Sequence, residues 1–196
     1  GSRFENIVGG NLNDTLRGDG FANELMGNGG NDTLDGRLGN NTLNGGAGDD
    51  RYEIAARTTA ETDTLIDGSG LDYLLMSLFD SDVVINLSAA PGSQTVSGEF
   101  ALNLNGEQFT GVSTGNGNDK ITGRASLGTA MNGNVGNDQL TGGTGDDFLY
   151  GSPGTDSLAG WGGNDTYIFD TDGAAGTAYL YDQGVGIDTL DFSLTT

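Results

Sequence analysis

A nine-residue period constrains this chain more than any other feature. Written in rows from Gly9, residues 9–53 read GGNLNDTLR, GDGFANELM, GNGGNDTLD, GRLGNNTLN and GGAGDDRYE without a gap. The period returns at Thr114 with TGNGNDKIT, passes through a ten-residue row GRASLGTAMN, and continues as GNVGNDQLT, GGTGDDFLY, GSPGTDSLA and GWGGNDTYI. Self-similarity at a short fixed period marks stacked architectures, in which each repeat buries its apolar face only against its neighbours.

Each row divides into a turn and a strand. Glycines at the first, second and fourth places permit positive φ, which a tight six-residue turn requires. The three residues that follow suffice for one short strand. Side chains alternate across it, so only position eight faces inward. That place is apolar throughout: Leu16, Leu25, Leu34, Leu43, Tyr52, Ile121, Leu140, Leu149, Leu158 and Tyr167, with Met131 filling it in the longer row if the turn holds the extra residue. Two successive rows make one coil with two strands and two turns. The expected fold is all-β: a parallel β-roll, or β-helix solenoid, with two repeat blocks joined by a β-rich capping and linking segment.

Position six carries the chemistry. It holds Asp14, Asp32, Asp50, Asp119, Asp138, Asp147, Asp156 and Asp165, while Asn23 and Asn41 stand there in two rows and the ten-residue row has no acid. Turns of alternate rows stack at about 4.8 Å, and carboxylates at that spacing repel unless a cation lies between them. The chain has no cysteine and no histidine, so thiolate and imidazole sites are excluded and only oxygen donors remain. Oxygen donors select hard cations, and calcium, which takes six to eight oxygens in flexible geometry, suits such turns better than magnesium. The eight aspartates are therefore the expected metal ligands. Pairing them one coil apart, Asp14 with Asp32, Asp32 with Asp50, Asp119 with Asp138, Asp138 with Asp156 and Asp147 with Asp165, gives five calcium ions.

Other functions are excluded on composition. Seven Lys and Arg against 28 Asp and Glu give a formal net charge of -21, which repels nucleic acid. The longest apolar stretch, Val83 to Leu87, is far short of the roughly 20 residues of a transmembrane helix. No HExxH motif is present, and with no histidine in the chain the GVSTG string at 111–115 has no triad partner; neither Pro91 nor Pro153 follows an Asp, so autoproteolysis at an Asp-Pro bond is ruled out.

The rows GGAGDDRYE and GGTGDDFLY fit GGxGxDxUx in full, and the chain resembles the hemolysin-type calcium-binding repeat region of RTX (repeats-in-toxin) proteins over residues 9–53 and 114–168. The resemblance implies a parallel β-roll, calcium-dependent folding and type I secretion. It also implies a secreted, extracellular or bacterial cell-surface location within a larger adhesin, toxin or exoenzyme, whose neighbouring domains would be partners. Leu12 and Phe21 depart from the pattern at the fourth glycine, and Asn23 and Asn41 at the aspartate. The main expectation is a non-catalytic, calcium-binding structural module. The alternatives are a carbohydrate- or ice-binding module using the outward threonines Thr15, Thr33, Thr42 and Thr166, a row interrupted by Glu24 and Arg51, or part of an RTX exoenzyme such as a polysaccharide-modifying enzyme.

The expected organisation is a cloning scar at 1–2, a first roll block at 3–53, a linking segment at 54–113, a second block at 114–169 and a capping segment at 170–196 that starts a further unit. In the linking segment, Val83 to Leu87, Thr95-Val96 and Phe100 to Leu104 read as strands, Pro91-Gly92 and Asn105-Gly106 as turns, and Leu71 to Phe79 as strand or irregular capping structure. Asp63, Asp67, Asp72, Asp172, Asp182 and Asp188 read as ordinary surface charge, with extra calcium ligands at the roll ends as the alternative, and any ion beyond the five is expected at a roll end near Asp67 or Asp182. Within the first block the odd rows offer carboxylates and the even rows amides. Metal is expected on the odd edge alone, with the asparagines stacked amide on amide and Asn41→Ala costing little.

Overall fold

The computed structural model describes residues 5–57, 59–89, 92–98, 100–105, 109–170 and 176–194. Gly1-Ser2, Pro91, Gly106 and Asp172 lie outside these residues. Among the described residues there is no helix, and the chain forms parallel β-rolls in two units.

The first unit takes residues within Gly1–Met76 and Ala89–Phe109. Its strands begin with β1 (Asn6–Val8), β2 (Thr15–Arg17), β3 (Glu24–Gly29), β4 (Thr33–Asp35), β5 (Thr42–Ala47), β6 (Arg51–Glu53), β7 (Thr62–Ile66) and β8 (Tyr73–Leu75). Successive strands alternate between two sheets, so β1, β3, β5 and β7 stack in parallel on one side and β2, β4, β6 and β8 on the other. Position eight is in register on both: Leu25↔Leu43↔Leu65 and Leu16↔Leu34↔Tyr52↔Leu74. All of these are buried, and burying each aliphatic side chain contributes about 1.5–3 kcal/mol. The roll thus runs past Glu53 through β7 and β8, whose rows lack the leading glycine.

Strand β9 (Val84–Asn86) belongs to the second unit. The chain returns to the first with β10 (Ser93–Ser97) and β11 (Phe100–Asn103), an antiparallel hairpin whose β11 pairs in parallel with β7. The hairpin covers the edge of β7, and an irregularity between Thr95 and Ser97 breaks the regular ladder of the outer strand. The expected strand signals at Thr95-Val96 and Phe100 to Leu104 become this hairpin.

The second unit takes residues within Ser77–Ser88 and Thr110–Thr196. It adds β12 (Gly111–Ser113), β13 (Lys120–Thr122), β14 (Ala130–Asn132), β15 (Gln139–Thr141), β16 (Phe148–Tyr150), β17 (Thr155–Ala159), β18 (Thr166–Asp170), β19 (Thr177–Leu180) and β20 (Thr189–Leu194). One sheet runs β12-β14-β16-β18-β20 and the other β9-β13-β15-β17-β19. Met131 pairs with Val112 and Leu149, so the extra residue of the ten-residue row is absorbed in its turn and the strand register is kept.

Candidate metal centre

The turns are held by two hydrogen-bond ladders. In the first, the position-six side chain accepts from the backbone N–H of position six one coil earlier. Asp14 N–H donates to Asp32 Oδ1 and Asp32 N–H to Asp50 Oδ1, each at 2.8 Å. The same contact joins Asp119 to Asp138 at 2.8 Å, Asp138 to Asp156 at 2.9 Å and Asp147 to Asp165 at 2.9 Å. Every aspartate pair expected from the row spacing is therefore a stacked neighbour.

The second ladder was not read from the sequence. At position five, Asn13 Oδ1 accepts the N–H of Asn31, and Asn31 Oδ1 that of Asp49. Asp82, Asn118 and Asn137 continue the pattern in the second unit toward Thr155. The signal was present, since Asn or Asp recurs at position five beside the more conspicuous Asp.

The Oδ1 atoms are committed to these bonds, and the second carboxylate oxygens are not. Oδ2 of Asp32, Asp50, Asp119, Asp138 and Asp165 is buried and accepts no hydrogen bond. A buried carboxylate oxygen without a partner is costly and calls for a proton or a cation. Position one shows what surrounds it. A Cβ added at Gly27 would lie 2.1 Å from Asp32 Oδ2 and 2.5 Å from the Gly45 carbonyl; the matching recess at Gly142 differs in that Asp147 Oδ2 accepts the Gly143 N–H at 2.8 Å. The first glycine is thus required by close approach to an oxygen-lined recess. Positive φ belongs to the second and fourth places, as at Asn28 (76°), Trp161 (72°), Gly30 (101°) and Gly48 (131°), which corrects the expectation that all three glycine positions serve it. An all-oxygen recess of carboxylate and carbonyl fits a hard divalent cation such as calcium.

Electrostatics agree with the geometry. Burial pushes Asp50 and Asp147 up to about 6 and Asp138 up to about 7. Repulsion from stacked neighbours adds to this at Asp50, from Asp32 and Asp72, and at Asp138, from Asp119 and Asp156, while backbone N–H bonds oppose it. Asp119, Asp156 and Asp165 move in the same direction, again chiefly through burial.

Outside the expected ligands, Asp63 and Asp72 are not surface charge. They are 1 % and 3 % exposed and take the position-six place in the rows after Glu53, accepting the N–H of Asn41 and Asp50. Asp188 accepts the N–H of Asp165 in the same way.

The even edge of the first unit is built differently. Asn23 N–H donates to Asn41 Oδ1 at 3.0 Å, so the asparagine uses the backbone contact of the aspartate ladder. Asn41 Nδ2, which stands where an aspartate has its second oxygen, donates to Gly39 O at 3.2 Å and to Asp63 Oδ1 at 3.0 Å. The Asp63 carboxylate is met by Arg57, whose side chain is 1 % exposed: Nη2 lies 2.8 Å from Asp63 Oδ2 and Nη1 donates to Gly39 O at 2.9 Å. The guanidinium also lies 4.4 Å from the Phe100 ring centroid in the capping hairpin. Burial raises Asp63, and the Arg57 charge opposes the shift. In the acid-free turn of the second unit, Arg124 donates to Gly128 O and attracts Asp147.

The outward threonine row is short. Thr15 and Thr33 stack on one another and are followed by Arg51 and then Tyr73. Among the described residues no helix is long and apolar enough to cross a membrane. In comparisons with known proteins, the family model described as the RTX calcium-binding nonapeptide repeat, in four copies, matches residues 8–43, 26–53 and 132–167. A search of the curated proteins found no match to the chain.

Proposed function

As the nonapeptide rows of this chain belong to the RTX calcium-binding nonapeptide repeats, we propose that it is a calcium-responsive structural module of a large secreted bacterial protein, exported unfolded by a type I route and folded outside the cell. The observation that carries this reading is the set of buried Oδ2 atoms that accept no hydrogen bond, those of Asp32, Asp50, Asp138 and Asp165 lying against the position-one glycine of their turns. In a low-calcium cytosol the stacked carboxylates repel, and three-residue strands cannot offset a backbone entropy cost of about 1–2 kcal/mol per residue. Extracellular calcium neutralises the stack, so binding and folding are one event.

Asp14, Asp32, Asp50, Asp119, Asp138, Asp147, Asp156 and Asp165 are the ligands in this reading, supported by turn carbonyls. Their carboxylates serve the turns and do no catalysis. Neighbouring domains of the parent chain are its partners. A circular dichroism titration from chelator into calcium tests the proposal: β signal should appear with midpoints of order 10⁻⁴ to 10⁻³ M, as for other extracellular calcium modules. A fully folded spectrum in chelator would overturn it. Native mass spectrometry should find the five row ions, whose ten positive charges take the net charge from -21 to -11.

A further inference from the structure

The acidic turn stack of the first unit ends in a group that the nonapeptide pattern does not contain. In the row DGSGLDYLL, residues 67–75, position one is Asp67 where ten of the eleven rows of the two repeat blocks have glycine. Elsewhere this place offers a backbone carbonyl to the recess, as Gly27 does beside Asp14 and Gly45 beside Asp32. Here it offers a carboxylate.

One ligand atom each from Asp50, Asp67 and Asp72 lies within 4.8 Å of the others. Asp50, 1 % exposed, brings a buried Oδ2 that accepts no hydrogen bond. That oxygen points into the group: a Cβ on Gly45 would meet Asp50 Oδ2 at 2.2 Å and the Tyr52 hydroxyl at 2.6 Å, and the same hydroxyl donates to Asp67 Oδ1 at 2.9 Å. Asp72 is fixed from the other side by the Asp50 N–H at 2.9 Å. Carboxyl groups this close require a proton or a cation among them.

The second unit carries part of the arrangement. Asp165 Oδ2 is buried without a partner, a Cβ on Gly160 would meet it at 2.1 Å and the Tyr167 hydroxyl at 2.7 Å, and Asp165 N–H donates to Asp188 Oδ1 at 2.9 Å. Asp182 precedes that row as Asp67 opens its own, and both Asp182 and Asp188 are exposed. Tyrosine and orphaned oxygen thus recur in both units, whereas among the described residues three carboxylates converge in the first alone.

We propose that Asp50, Asp67 and Asp72 form a terminal calcium site distinct from those between nonapeptide turns, holding its ion more tightly and filling first. The proposal rests on the turns being calcium sites, and it adds a third carboxylate. Affinity in oxygen sites rises with the number of charged ligands and with rigidity, and Tyr52 and the Asp50 N–H supply the latter. Filling this site first would fix the last turn of the stack as a template for those before it.

The test is calcium calorimetry on the full chain and three variants. Asp67→Asn keeps the acceptor for Tyr52 and removes one charge; Asp67→Gly restores the ordinary row pattern and so preserves the turn. Both should weaken the tightest binding step at least about tenfold and leave the weaker steps in place. Asp32→Asn should do the reverse, keeping the tightest step and losing weaker ones. An unchanged tightest step in both Asp67 variants overturns the terminal site while the row sites stand. An unchanged isotherm in Asp32→Asn, with the Asp67 effect present, overturns the row sites instead.

Discussion

The two turn edges of the first unit share one scaffold and differ in one atom per row. On both, a position-six Oδ1 accepts the N–H of the coil before, at 2.8 Å between Asp14 and Asp32 and 3.0 Å between Asn23 and Asn41. The ladder therefore needs an oxygen and not a charge. The edges part at the second side-chain atom. Oδ2 of Asp32 and Asp50 is buried without a hydrogen-bond partner, whereas Asn41 Nδ2 closes its own turn by donating to Gly39 O. Register and metal demand are thus separate properties of one side chain. Where a carboxylate does enter the amide edge, at Asp63, the Arg57 guanidinium meets it.

The sharpest way to break this comparison is at Asp32, central to the acidic edge. Asp32→Ala removes the acceptor of the Asp14 N–H and, in the proposed pairing, a ligand of two ions. The first unit should unfold at calcium levels that hold the wild type, with two ions lost by native mass spectrometry; unchanged stoichiometry would show that Oδ2 is not the metal-seeking atom.

Arg57→Ala tests the other edge. Removing one partner of a buried ion pair strands the Asp63 charge, and a loss of about 3–5 kcal/mol is expected from denaturant unfolding in saturating calcium. Adding Asp63→Asn should recover much of it, because the stranded charge is then gone. If extra calcium alone rescued Arg57→Ala, the amide edge would be a metal site too.

Acid should separate ladder from charge in both units. Asp50, Asp138 and Asp147 are raised from 3.8 to about 6 or 7, so the folded chain binds protons more tightly than the unfolded one. Their contribution to metal-free stability is fully present below about pH 3.8 and is lost as pH rises through 6 to 7. In chelator, β signal should therefore grow as pH falls from 8 to 4, and calcium affinity should weaken over the same window as protons compete. A chelated protein with equal β content at both pH values would contradict the burial of these groups.

The smallest effect is at Asn41. Read from sequence, Asn41→Ala is nearly neutral. In the structure it orphans the buried N–H of Asn23, at a cost of about 1–3 kcal/mol by denaturant titration, independent of calcium.

The parallel roll and its inward column were legible because period nine fixes both turn and strand. Even the irregular row resolved correctly, since only Met131 could enter the core in register with Leu149. The rows at 58–66 and 67–75 were not legible. They keep the position-six Asp and position-eight Leu but lack the leading glycine, and four residues intervene after Glu53. Arg57 was invisible for another reason: its partners include a carbonyl at Gly39, and nothing in its own neighbourhood signals that contact. The position-five ladder was overlooked because Asn is an ordinary turn residue, and only stacking shows that its side chain reaches the next coil.

The two ladders point in opposite senses, since position five accepts from the coil after it and position six from the coil before. Every stack therefore has a direction, like a one-way fastener. For a sequence that lengthens by copying itself, this sets the unit of inheritance. A pair of rows inserted in the same orientation leaves each later turn on its own side, whereas a single row moves all later turns across and splices the acidic stack onto the amide one. Gain or loss of repeats should go by twos.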